Sequence, residues 1–218
     1  MILRNLLEDS LVDFVSGKHD VDDYVALSVM TDGLKATRDT IIGMSGVDSK
    51  GAILFTILFN VGNPEATAPY HGVPIDTFKT KGCSPQEGYE MLHGYIEDKY
   101  LVVHSNKFVS KFLSEFTARH NVLPIANTLI GTEILYKALR TPDTIFPSLQ
   151  EDMVFSDLMS SLTSLSYSRN IKAALDDVYH LQTDDMTDYV GRLPIGVGNA
   201  FKVGAVYRRM LASPLVGI

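Results

Sequence analysis

The chain has 218 residues, with 19 Lys+Arg against 26 Asp+Glu, a net charge of −7, one cysteine and no tryptophan. Hydrophobic residues make up 45%, which excludes a disordered chain, a collagen and a disulfide scaffold. The charge is uneven: residues 191–218 carry Arg192, Lys202, Arg208 and Arg209 and no acid, so all 26 acids lie in the rest of the chain. A basic tail on an acidic body predicts that the tail docks on something. The opening MILRNLLEDSL has no signal pattern, and the longest apolar run, Ala52–Phe59, is far short of the roughly 20 residues a membrane helix needs. An intracellular protein, or one entering an assembly made inside a cell, is expected, with no membrane contact.

The first element in chain order is a helix. Leu3, Leu6, Leu7, Leu11, Phe14 and Val15 recur at spacings of three and four. Asp20 is placed to cap a second helix, with Val21, Tyr24, Val25 and Leu27 inward and Gly33 as its stop. Asp48 is placed to cap a third, whose Ile53–Phe59 run is apolar all round; a run this short reads equally as a buried strand. Residues 60–83, broken by Pro64, Pro69 and Pro74 and by glycines, read as a long loop with a short strand or hairpin at Val73–Phe78. Ser84-Pro85-Gln86-Glu87 is a capping box with proline at the first helical position. The helix it opens presents Tyr89, Leu92, Tyr95 and Ile96. Phe108, Val109, Phe112 and Phe116 mark another helix, and Leu129, Ile130, Ile134, Leu135, Ala138 and Leu139 the next. A second capping box, Ser148–Glu151, opens helices over 148–182. The expected fold is mainly α: a compact helical bundle with a long irregular loop at about 60–83 and an extended C-terminal arm. The expected division is a helical body over 1–190 and a docking arm over 191–218.

Catalytic signals are sparse. The six histidines (His19, His71, His93, His104, His120 and His180) include no pair at helical metal-site spacing. Cys83 lies just before a helix start, which favours a thiolate, but no base or oxyanion site accompanies it. No cofactor, no metal and no catalytic residue is expected. Arg192-Leu193-Pro194-Ile195-Gly196-Val197-Gly198-Asn199 resembles the LPxGxGN-type element near the end of phage head-to-tail adaptor proteins. The resemblance covers about fifteen of the 218 residues, and Val197 stands where a small polar residue is expected. It implies a non-enzymatic structural virion protein, a neck or connector subunit forming a homo-oligomeric ring. Its arm would clasp the portal protein, with other tail and neck proteins as neighbours and DNA passing without sequence-specific binding. The partner-binding set is then Arg192, Leu193, Pro194, Ile195, Gly196, Gly198 and Asn199, with Lys202, Arg208 and Arg209 pairing with acidic portal groups. The 60–83 loop would contact a neighbouring copy. The competing expectation for the arm is a helix over about 200–211 folded back on its own body, since Phe201, Val203, Val206 and Tyr207 are too apolar for a free tail.

The alternative is an enzyme. His19-Asp20-Val21-Asp22-Asp23 resembles the acidic calcium loop of nucleoside hydrolases, and residues 112–140 are similar to a later helix–strand–helix of those enzymes. Ser16 and Lys18 stand where that loop needs aspartates. Calcium takes six to eight oxygen ligands, so the remaining carboxylates do not suffice alone. A third reading is a helical interaction module.

Overall fold

A computed structural model describes residues 24–133 and 195–211. Its centre is a five-stranded mixed sheet in the order β3-β2-β1-β4-β5. Strands β1 (Tyr24–Thr31), β2 (Ile41–Asp48) and β3 (Ile53–Leu58) form an antiparallel meander. Strands β4 (Tyr100–Val103) and β5 (Leu129–Gly131) add parallel to β1. Between β3 and β4 lie a 3-10 turn (Pro64–Thr67) and helices α1 (Ala68–His71), α2 (Ile75–Lys81) and α3 (Pro85–Ile96). Helix α4 (Asn106–His120) joins β4 to β5, and α5 (Ile195–Leu211) follows.

The expectation of a mainly α bundle is therefore corrected. β1 is buried along nearly its whole length because both faces of the sheet are covered. Such a strand is a continuous apolar run, which periodicity cannot separate from a buried helix. The expected second helix is β1, and the helix expected from Leu129 begins as β5. Asp48 does not cap a helix: its carboxylate accepts the amides of Lys50 (2.9 Å) and Ala52 (2.7 Å) and closes the β2–β3 hairpin. The Ile53–Leu58 run is a strand, and the 60–83 segment is largely helical turns with no hairpin. The capping box forms as read: Ser84 Oγ accepts the Glu87 amide, and Glu87 Oε2 accepts the Ser84 amide at 2.9 Å. Helices expected at 3–15 and 148–182 lie outside the described residues.

One face of the sheet packs on α3 and α4. Val25, Leu27, Met44, Phe55, Ile57, Leu101 and Val103 meet Tyr89, Leu92, Ile96, Val109, Phe112 and Phe116 there. Each such side chain contributes about 1.5–3 kcal/mol of burial. The other face carries α5, which lies across β1, β2 and β4. The expected extended arm is thus, over its described part, a helix folded back on the sheet. Val197, Ala200, Val203, Val206 and Tyr207 are buried, and Tyr24 donates its hydroxyl to the Gly204 carbonyl at 3.3 Å. A side chain at Gly204 would press on Ala26 at 3.1 Å. The glycines of the expected extended arm let a helix lie close against strands.

Candidate functional site

In open α/β sheets, ligands bind outside the carboxyl ends of the strands. β1 ends at Thr31, and there the sheet, α5 and the 60–83 segment enclose a two-lobed crevice. One lobe, about 420 Å³, is lined by Met30, Thr31, Leu34, Tyr70, His71 and Asn199 among others. The second, about 440 Å³, is lined by Met30, Ser45, Thr56, His71, Lys81 and Gly196 among others. Met30 and His71 border both. A larger depression of about 590 Å³ lies beside Lys99 and Tyr100, at the amino end of β4, the end of a parallel strand where ligands are not expected. Asn127 in its wall is spent on the carbonyls of Ile96 (2.6 Å) and Lys99 (2.8 Å).

The crevice wall is fixed by polar contacts within the chain. Asp32 accepts the amides of Thr40 (2.6 Å) and Asn63 (2.8 Å), tying the end of β1 to β2 and to the 60–83 segment. Thr67 donates to the Thr31 carbonyl at 2.9 Å. His71 is 4% exposed. Its Nδ1 accepts the Val73 amide (3.0 Å), which leaves Nε2–H to donate to the Pro64 carbonyl (2.8 Å). This histidine is a strut. The segment expected to reach a neighbouring copy is bound to its own sheet.

Two large side chains stand free at the rim: Leu34 is 83% exposed and Tyr70 79%. The floor is neutral. In register, Ser28 on β1 faces Ser45 on β2, which faces Thr56 on β3, a row of hydroxyls on the face that carries α5. Ser45 is fully buried, and its Oγ has no hydrogen-bond partner. It lies 2.9 Å from where a Cβ on Gly196 would sit, under the first turn of α5.

The expected binding residues are dispersed. Gly196 and Asn199 line the crevice, while Ile195, Gly198 and Lys202 are positions of α5. Arg208 donates to the Ser49 carbonyl of the β2–β3 turn at 2.6 Å, so this contact is within its own chain. Arg209 belongs to α5; Arg192, Leu193 and Pro194 lie outside the described residues, as do His19, Asp20, Asp22 and Asp23. Cys83 donates its thiol to the Leu58 carbonyl (3.4 Å), and burial pushes the thiol's pKa up, against a nucleophilic role. Sequence reasoning missed Leu34, Tyr70 and the hydroxyl row. The row depends on strand register, which leaves no local signal, whereas Thr31-Asp32-Gly33-Leu34 after an apolar strand is a turn that could have been read.

Fold and crevice define the class: a three-layer α/β/α protein with a mixed sheet and a crevice beyond the end of β1. Among solved structures, this architecture is similar to that of exonuclease I. One structure of that enzyme, whose description concerns how processivity is achieved, aligns with TM-score 0.58 at 10% identity, over 88% of this chain and 41% of its own. A product-bound form aligns with TM-score 0.56 at 11% identity, over 86% and 43%. Escherichia coli exonuclease I in complex with a dA13 oligonucleotide aligns with TM-score 0.58 at 11% identity, over 88% and 41%. The chain thus spans less than half the length of these proteins. No protein-family profile and no curated protein sequence matches.

These likenesses, at 10–11% identity, show the fold alone. They overturn the expectation of a non-enzymatic head-to-tail adaptor and give no support to a nucleoside-hydrolase relative. Nucleases commonly place divalent ions on carboxylates. Among the described residues, no three His, Cys, Asp or Glu side chains converge on a metal position. The acids near the crevice are already engaged: Asp32 as above, and Asp39 with the Arg38 guanidinium (2.7 Å) and the Lys35 amide (2.8 Å). A thioether and hydroxyls do not suit magnesium, which takes carboxylates, phosphates and water. The described residues do not fit such a metal.

Proposed function

We propose that the chain is a nucleic-acid-handling domain on the exonuclease I fold, taking the end of a single strand into the crevice beyond β1. The observation that carries this is the pairing of that fold with exposed Leu34 and Tyr70 at the mouth of a crevice. Apolar and aromatic side chains held free beside a slot suit unpaired bases, because every base has a stackable face. Lys81 at the second lobe adds positive charge for the backbone. A fluorescein-labelled oligodeoxythymidylate, titrated with the full chain and followed by anisotropy, tests the reading. Single strands should bind and blunt duplex should bind more weakly. Tyr70→Ala should lower affinity about 5- to 100-fold, the loss expected for one stacked base. Equal affinity for duplex and single strand, unchanged by Tyr70→Ala, would sink the reading.

Hydrolysis with metal ions needs carboxylates beyond those near the crevice. Segments 1–23 and 134–194 carry Asp20, Asp22, Asp23, Asp184, Asp185 and Asp188 among their acids. Shortening of the labelled strand in Mg2+ or Mn2+, abolished by Asp22→Ala or Asp185→Ala, would bring those segments into the reaction.

A further inference from the structure

We infer that the crevice holds a phosphate group of its nucleic acid without a divalent cation, between the first turn of α5 and the hydroxyls of Ser45 and Thr56. The inference rests on the nucleic-acid reading above and concerns how that site grips its ligand.

Three observations meet at one place. The first amides of a helix have no acceptor within the helix, and the helix dipole adds partial positive charge there. Such an end of a 17-residue helix borders the second lobe through Gly196. Directly beneath it lies Ser45 Oγ, fully buried and without a partner. A buried hydroxyl left unpaired is costly, and a ligand oxygen entering the lobe would accept its hydrogen. The row continues outward to Thr56, which is exposed and lines the same lobe as Lys81.

The absence of a side chain at residue 196 matters here. A Cβ would sit 2.9 Å from Ser45 Oγ and collide with it, so only glycine lets the first turn of α5 come down beside that hydroxyl. Among the described residues no carboxylate lines this lobe, so the phosphate meets donors on these walls. Where a metal would bridge protein carboxylates to phosphate, this lobe presents the amide, hydroxyl and ammonium donors directly.

The test is anisotropy of the fluorescein-labelled oligodeoxythymidylate with the full chain, in EDTA and in Mn2+. Affinity in EDTA should stay within about twofold of that in Mn2+. Ser45→Ala should weaken binding about 2- to 10-fold, the loss of one hydrogen bond. Thr56→Glu, an exposed change that puts negative charge at the lobe, should weaken it about tenfold or more, most at low salt. Binding that disappears in EDTA and returns with Mn2+ would overturn the metal-free grip and leave the nucleic-acid reading standing. EDTA-insensitive binding indifferent to both variants would overturn the placement of the phosphate. Absence of binding under both conditions would overturn the nucleic-acid reading and this inference with it.

Discussion

The Tyr89 hydroxyl is buried with no hydrogen-bond partner, while its ring stacks on Phe116 at 5.3 Å and 10°. Burial raises its pKa well above the ordinary 10.0. Tyr89→Phe keeps the stack and removes the unpaired group, so it should stabilise the protein by about 1–2 kcal/mol, seen as a higher urea midpoint. Ser45→Ala follows the same arithmetic, and a more stable protein that grips nucleic acid less well is its signature. His120 sets a pH dependence. Burial, and then the Arg119 charge, hold its imidazole below the ordinary 6.5. The folded state therefore favours the neutral ring. As pH falls below 6.5, the unfolded chain takes up the proton first, and stability declines until the folded value is passed. Urea midpoints at about pH 7 and about pH 5 should show that decline, and His120→Phe should reduce it. Asp39 acts lower on the scale: hydrogen bonds from Arg38 and then the Lys35 amide hold its carboxyl below 3.8. Its contribution is intact above that pH and is lost as pH falls through the lowered value.

Among the elements, the sheet shows how tightly its layers are matched. Gly46 on β2 sits under the Phe55 ring, and a Cβ there would run into that ring. Gly46→Ala should displace Phe55 from the α3–α4 core and cost about 1–3 kcal/mol, read as a lower urea midpoint. Legibility from sequence divides along the same lines. The helices α3 and α4 were readable because one face of each is wet: the capping box and the spacing of Phe108, Phe112 and Phe116 record it. The strands were not, because α5 on one side and α3 with α4 on the other make Tyr24–Met30 apolar throughout, apart from Ser28. Gly196 and Gly204 were visible as glycines, but their meaning depends on what they face. A helix lying against Ala26 and Ser45 needs them small; an extended arm would use them to lie close against another backbone. The crevice was the least legible part, since Leu34, Ser45, Tyr70 and Gly196 meet only through the fold.

At the scale of the molecule, two layers of helix grip one sheet by different means. The α3–α4 side is a contiguous aromatic and aliphatic core. The α5 side relies on close backbone approach, the edge contact of Tyr24 with Tyr207 at 4.9 Å, and the Arg208 bond to the β2–β3 turn. Arg208→Ala should loosen that turn and cost about 1.5–3 kcal/mol, the range for a charged hydrogen bond. Amide hydrogen exchange should quicken around Ser49–Ala52. The exonuclease I likeness covers less than half of that enzyme's length.

The Tyr24–Gly204 bond joins residues 180 positions apart. A ribosome delivers β1 to β5 long before α5, so half of the sheet leaves the tunnel bare. Contacts of such long reach slow folding, and an uncovered apolar face attracts other chains meanwhile. The newborn polypeptide should therefore lean on holdase chaperones until its last described helix arrives, and ribosome-stalled chains ending before residue 195 should be the ones those chaperones retain.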